Sequence, residues 1–325
     1  MKAVVYTKYG PPDVLQLKEV TKPTPTDDEV LIEIQAVSLN RSDWEGLIGK
    51  PFYARFGGLR KPRRQILGSD IAGRVEMVGK NIKRLQPGDE VFGDILAHMG
   101  GFAEYVCVRE RALALKPASM TFEEVATIPQ AAVIALQGLR DKGQVQPGQK
   151  VLINGAGGGT GTFAIQLAKL YGAEVTGVDN SGKQDFMRSI GADHVIDYTR
   201  EDFTRNGGKY DLILDVIAHR SVFAYRRALR RNGSYFAVGG SVFTMFQILL
   251  LGPLIRRATG KKIRVLIVQP NIKDMLHMTE LYEEGKIVPV IDRRYPLSEV
   301  PEALRYLGEG RAKGKIVITL DHSNT

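Results

Sequence analysis

Val151-Leu152-Ile153-Asn154 runs into Gly155-Ala156-Gly157-Gly158-Gly159-Thr160-Gly161 and then into the apolar, helix-forming stretch Thr162 to Lys169. Strand, glycine turn and helix in that order suit a diphosphate, which is held by backbone N–H groups at the positive end of a helix where any β-carbon would keep it away. Gly158 and Gly159 leave that approach open, with Thr160 beside them. Gly161 allows the helix to pack on its strand, and Ala156 stands where the usual fingerprint has its first glycine. A glycine run alone is weak, because any tight turn makes the same demand. What points to a dinucleotide is an acid closing the next strand, Asp179, 18 positions after Gly161. That spacing is near the ~20 expected of a ribose-binding carboxylate. Asp179 favours NAD, Asn180, Ser181 and Lys183 offer donors to the 2′-phosphate of NADP, and a plain turn role for Asp179 stays open.

Such a loop needs a parallel sheet to hold it. After Pro147-Gly148 the chain alternates strand-like and helix-like segments: 150–154, 162–171, 174–178, 183–190, 212–216 and 234–238. This is the pattern of a doubly wound α/β unit. Residues 1–120 instead hold short Val/Ile-rich runs cut by Gly and Pro, as in Val30-Leu31-Ile32-Glu33-Ile34, and predict a β-rich unit. Thr121 begins a capped helix, so the expected organisation is a β-rich domain over 1–122, completed by 290–325, and a dinucleotide-binding domain over 123–289. His322 to Thr325 are expected to be disordered.

With 325 residues, 43% hydrophobic and 25% charged, the composition is that of an ordinary globular protein. The formal charge of +9 suits an anionic cofactor or merely a solvated surface. No basic run is interleaved with aromatics, so no nucleic-acid partner is expected. The single cysteine, Cys107, excludes an intrachain disulfide, and with no secretory leader visible a cytoplasmic location is expected. The apolar run from Val242 to Ile255 falls short of the ~18–20 residues of a membrane span. It is expected to be a buried helix or the wall of a substrate cleft, with a membrane-surface or subunit contact as the other readings.

Gly68-Ser69-Asp70-Ile71-Ala72-Gly73-Arg74-Val75, Gln86-Pro87-Gly88-Asp89-Glu90-Val91-Phe92-Gly93, Gly101-Phe102-Ala103-Glu104-Tyr105-Val106 and the loop at 155–161 together resemble the medium-chain dehydrogenase/reductase superfamily over nearly the whole chain. Within it the sequence is similar to the zinc-independent, ζ-crystallin-like quinone oxidoreductase branch. The resemblance implies a GroES-like catalytic domain, a Rossmann domain, bound NAD(P)H and a homodimer. Zinc members carry Cys near position 40 and Gly-His-Glu near 68. Here Asn40 and Gly68-Ser69-Asp70 stand there, and no metal site is expected.

By the same resemblance Asn40 lies beside the nicotinamide ribose and substrate, although a turn cap explains it too. Tyr198 flanks the adenosine, Val216 and Ile217 touch adenine or serve as core, Val238-Gly239-Gly240 faces the nicotinamide, and Arg311 and Lys315 reach the cofactor or are solvated charges. Glu45, where an aromatic residue or lysine is common, and Ile134, where threonine is common, leave the substrate open. With no metal to polarise a carbonyl, the implied acceptor is a quinone or α,β-unsaturated carbonyl, which takes hydride because charge delocalises onto oxygen. Asn40 then orients the reactants, and solvent or Tyr53 supplies the proton. A cofactor-binding sensor or structural protein without turnover is the competing reading, and an oxidative alcohol dehydrogenase lacks an evident base.

Overall fold

A computed structural model describes residues 1–55 and 58–322, so Ser323 to Thr325 of the expected disordered tail lie outside the described residues. His322 is tied down, its Nε2 lying 2.7 Å from the Ile34 carbonyl oxygen. The chain forms two compact units. One comprises Met1–Ala131, Pro270–Glu283 and the chain from Ile291 onward; the other comprises Ala132–Gln269 and Glu284–Val290.

The second unit is built on a parallel sheet ordered His194–Asp197, Glu174–Asp179, Lys150–Asn154, Tyr210–Asp215, Leu229–Ala237 and Lys262–Val265. Its central strands are almost continuous apolar runs, as burial on both faces requires. Strand order reverses beside Lys150–Asn154, which places the glycine loop at a topological switch point. The helix that follows, Gly159–Leu170, buries Phe163, Ala164, Ile165, Leu167 and Ala168.

In the first unit the long strand Glu29–Ser38 pairs antiparallel with Asp70–Val78, Tyr105–Arg109 and the C-terminal Lys315–Thr319. Register does the rest. Ser38 lies opposite Asp70, Asp70 opposite Asp94, and Val317 opposite Ser38, so that Asn40, Asp70, Asp94 and Lys315 come to one end of one sheet.

After Ala131 the chain is α-helical to Leu136 and continues as a π-helical turn over Gln137–Gly143. Val288 gives its backbone to the Gln166 side chain, and the next strand begins at Ile291. One expectation is corrected. The apolar run at 242–255 is part of an 18-residue helix, Val242–Thr259, which Ser241 caps and which buries only Thr244, Ile248, Gly252 and Ile255. By length and composition alone that helix is long and apolar enough to cross a membrane. It joins the parallel strands Leu229–Ala237 and Lys262–Val265 and packs its narrow inward face on that sheet.

Candidate active site

The glycine loop is held from below by packing and from the side by a carboxylate. A β-carbon on Gly161 would lie 2.3 Å from the Gly155 carbonyl oxygen and 2.5 Å from Ala156, so helix and turn meet at backbone contact. Gly155 has φ +83°, which suits glycine. Beyond Gly158 the space is open, the nearest atom to an added β-carbon being the Gly155 oxygen at 3.5 Å. Gly158 is also the N-cap residue, and no side chain caps this helix. The first-turn amides of Gly159, Thr160 and Gly161 precede the first helical bond, Thr162 N–H to Gly158 O. An uncapped helix start with open backbone amides is chemically able to take a diphosphate.

Asp179 accepts from the N–H of Gly157 at 3.0 Å and of Asn180 at 2.9 Å, and its Oδ1 lies 3.4 Å from Lys183 Nζ. Both side chains are buried. Lys183 is therefore held to Asp179, while Ser181 stays exposed in the short turn that the Asn180 side chain caps. The Tyr198 amide donates to the Asp179 carbonyl at 3.2 Å, leaving its ring half exposed at the same strand end.

Across the switch point, Asp215 organises the opposite loop. Fully buried, it accepts from Asn154 Nδ2 at 2.7 Å, the Ile217 amide at 3.0 Å and the Tyr235 hydroxyl at 2.8 Å, and burial pushes its carboxyl up. Val216 donates to Asn154 O, and Val216 and Ile217 lie 3.3 and 3.5 Å from a β-carbon added to Gly155. Val238 donates to Asp215 O, Ala218 to Gly239 O, and a β-carbon on Gly240 would sit 2.0 Å from Ala218 O. Ala156, Gly158 to Gly161, Asp179, Val216, Ile217 and Val238 to Gly240 thus gather at the carboxyl ends of adjacent strands.

The first unit holds a second polar cluster. Asn40 caps helix Arg41–Ile48, its backbone N–H donating to Asp43 Oδ2 at 2.8 Å. Asp43 also accepts from Gly68 N–H at 3.0 Å, and burial raises its carboxyl to about 6. Lys315 Nζ, fully buried, donates to Asn40 Oδ1 at 2.6 Å and to Leu39 O at 3.0 Å, and lies 3.8 Å from Asp70 Oδ2. A lysine only donates, so it fixes which end of the Asn40 amide is oxygen and turns Nδ2 toward Ser69 Oγ, 3.4 Å away. Gln130 bonds Ser69 Oγ at 2.7 Å and accepts from Ser42 Oγ at 3.2 Å. Burial pushes the Asp70 carboxyl up and the Lys315 ammonium down, and the charge of each partner opposes the other's shift.

Tyr53 is partly exposed, and burial, then the charge of Glu45, holds its phenol above the ordinary value. Arg311 is not brought to this cluster: its guanidinium pairs with Glu309 at 2.8 Å and lies over the Tyr306 ring. Sequence reasoning missed Asp43, Asp70, Gln130 and Asp215. For Asp215 a signal existed, a carboxylate closing the apolar strand Tyr210-Asp211-Leu212-Ile213-Leu214. Among the described residues, no group of three or more His, Cys, Asp or Glu is arranged to hold a metal ion.

Sheet, switch point and loop define a GroES-like unit with a dinucleotide-binding Rossmann unit, and comparison with known proteins agrees. Residues 26–118 match the alcohol dehydrogenase GroES-like domain, and residues 190–318 match a zinc-binding dehydrogenase model. The chain is 36% identical to the 2-methylene-furan-3-one reductase of Solanum lycopersicum over 98% of this chain and 79% of that protein. It is 31% identical to the chloroplast envelope quinone oxidoreductase homolog of Arabidopsis thaliana over 98% of both. The quinone oxidoreductase structure from Coxiella burnetii superposes with a TM-score of 0.87 at 29% identity, covering 99% of each chain. The chain belongs to the medium-chain dehydrogenase/reductase superfamily, in its quinone oxidoreductase branch.

Proposed function

We propose that this protein is an NAD(P)H-dependent oxidoreductase that reduces quinones or α,β-unsaturated carbonyls without a metal. The observation that carries the reading is the uncapped helix start at Gly158 to Gly161, open where a diphosphate needs backbone N–H groups and packed to contact everywhere else. Asp179 with Lys183, Ser181 and Tyr198 would hold the adenosine ribose, Val216 and Ile217 the adenine, and Val238 to Gly240 the nicotinamide side.

The bound dinucleotide supplies hydride. Asn40 Nδ2 is the donor that orients the reactants, and Lys315 serves the cofactor through Asn40 rather than by direct contact. Tyr53 keeps its proton at neutral pH because its phenol is raised, which suits it as proton donor. At the positions where zinc relatives place ligands, the Lys315 ammonium lies against Asn40 Oδ1 and beside Asp70. A second cation there would be repelled, which supports metal-free chemistry. The names of the relatives are in keeping with this: one is a 2-methylene-furan-3-one reductase and another a quinone oxidoreductase homolog. We place the enzyme in the cytoplasm on its single free cysteine. A homodimer rests on the resemblance, and light scattering would test it.

NADH and NADPH oxidation measured side by side against quinones, 2-alkenals and simple aldehydes tests the reading. Turnover is expected with the conjugated acceptors and not with simple aldehydes. Cofactor binding with no turnover across the panel would make the protein a sensor or structural binder.

A further inference from the structure

From Val216 to Lys273 the chain carries eleven Lys and Arg and no Asp or Glu. This +11 exceeds the +9 of the whole protein, so the remainder is net −2 and the positive excess resides in this one stretch. The same stretch holds the 242–259 helix. Phe243, Phe246, Leu249, Leu250 and Leu254 are each between 57 and 69% exposed. Spaced by three and four, they form one stripe. With about 200 Å² for a fully exposed large side chain, the stripe leaves on the order of 600 Å² in water, at the top of the ~300–600 Å² of the largest patches on monomers.

Positive charge closes one end of the stripe. Arg257 continues its line and Arg256 lies beside it in the last turn. Lys261 Nζ donates to the carbonyls of Arg226 at 2.8 Å and Leu229 at 2.7 Å, which brings the basic end of helix Val222–Ala228 alongside. Arg226, Arg256, Arg257, Lys262 and Arg264 are exposed and, among the described residues, in no ion pair.

We propose that the outward face of this helix docks the protein on an anionic lipid surface, the helix lying in the plane of the interface with its arginine end among the headgroups. An apolar stripe ending in uncompensated cations is what such a surface complements. A second copy pairing two-fold through the same patch would cover the stripe but, with no carboxylate in the stretch, would offer the arginine ends no opposite charge. A nucleic acid would meet the basic end and leave the stripe in water. The inference does not depend on the proposed function.

The full-length protein is sedimented with phosphatidylcholine vesicles with and without phosphatidylglycerol. Binding to the mixed vesicles is expected to be at least about tenfold tighter and to weaken with salt. F246S/L250S, which changes exposed positions only, and R256E/R257E should each lose about tenfold or more. F246W should shift its emission to the blue on mixed vesicles, against the constant background of Trp44 in the other unit. Absence of sedimentation, sedimentation that ignores F246S/L250S, or an unshifted F246W overturns the proposal. So does self-association abolished by F246S/L250S in protein that ignores vesicles, which assigns the face to a second copy.

Discussion

Replacing Lys315 with Met keeps the length and apolar body of the side chain and removes its ammonium. Leu39 O and Asn40 Oδ1 lose the donors they hold at 3.0 and 2.6 Å, and Asp70 loses its cation at 3.8 Å. Leaving one member of a buried ion pair alone costs about 3–5 kcal/mol, and an unsatisfied buried acceptor costs about 1–3 kcal/mol. The losses overlap, so about 3–5 kcal/mol is expected, a large share of the ~5–15 kcal/mol that holds a domain.

Asp70 has one escape, which is to take a proton. Burial already raises its carboxyl and Lys315 lowers it, so in Lys315→Met it rises further above its unfolded value. A carboxyl raised on folding stabilises the fold fully below its unfolded pKa of about 3.9 and loses that contribution as pH rises through the folded value, at up to ~1.4 kcal/mol per pH unit. In the wild type Lys315 lowers the same carboxyl, which stands at about 8, so the two proteins lose this contribution together up to that pH and part above it. The stability gap should therefore widen above about pH 8. Urea unfolding followed by Trp44, the one tryptophan and a member of helix Arg41–Ile48, reads the affected unit directly. A gap under about 1 kcal/mol, or parallel pH curves, refutes the reasoning. D70N/K315M should recover much of the loss, because removing both partners leaves no buried charge.

Asn40→Ala should lower kcat by about tenfold or more while leaving the NADPH Kd within about twofold, since the donor orients reactants rather than holding the diphosphate; equal loss in both places Asn40 in cofactor binding alone. Gly161→Ala puts a β-carbon 2.3 Å from Gly155 O and should weaken NAD(P)H binding at least about tenfold in a fluorescence titration, ~1.4 kcal/mol. Asp179→Asn releases Lys183 and removes a charge that repels a 2′-phosphate, so kcat/KM for NADPH over NADH should rise by about tenfold; an unchanged ratio assigns Asp179 to holding the Gly157 turn. Tyr53→Phe should slow turnover and flatten the alkaline limb of the pH–rate profile, which solvent protonation would leave in place.

The architecture was legible because its signals are local. Strand, glycine turn and helix at 150–170 are contiguous, the Ile/Val runs of the parallel sheet are nearly unbroken as burial on both faces dictates, and the quoted motifs carry the family by themselves. The 242–259 helix failed for the opposite reason. Hydrophobicity records what a side chain prefers and not what covers it, so an apolar run reads as buried when the fold leaves half of it in water.

The polar cluster of the first unit was half legible for a further physical reason. Asn40 is identifiable by position, but the Lys315 that orients its amide is 275 residues away and reaches it only through the antiparallel register of the first and last core strands. Nothing in the spacing of Gly310 to Lys315 separates the exposed Arg311, paired with Glu309, from the buried Lys315, paired across the sheet. A strand's period of two sends successive side chains to opposite faces, and only the pairing partner determines which basic residue meets a carboxylate in the interior. The residues that touch ligands are thus written along the chain, whereas those that hold them in place are written in the register between strands.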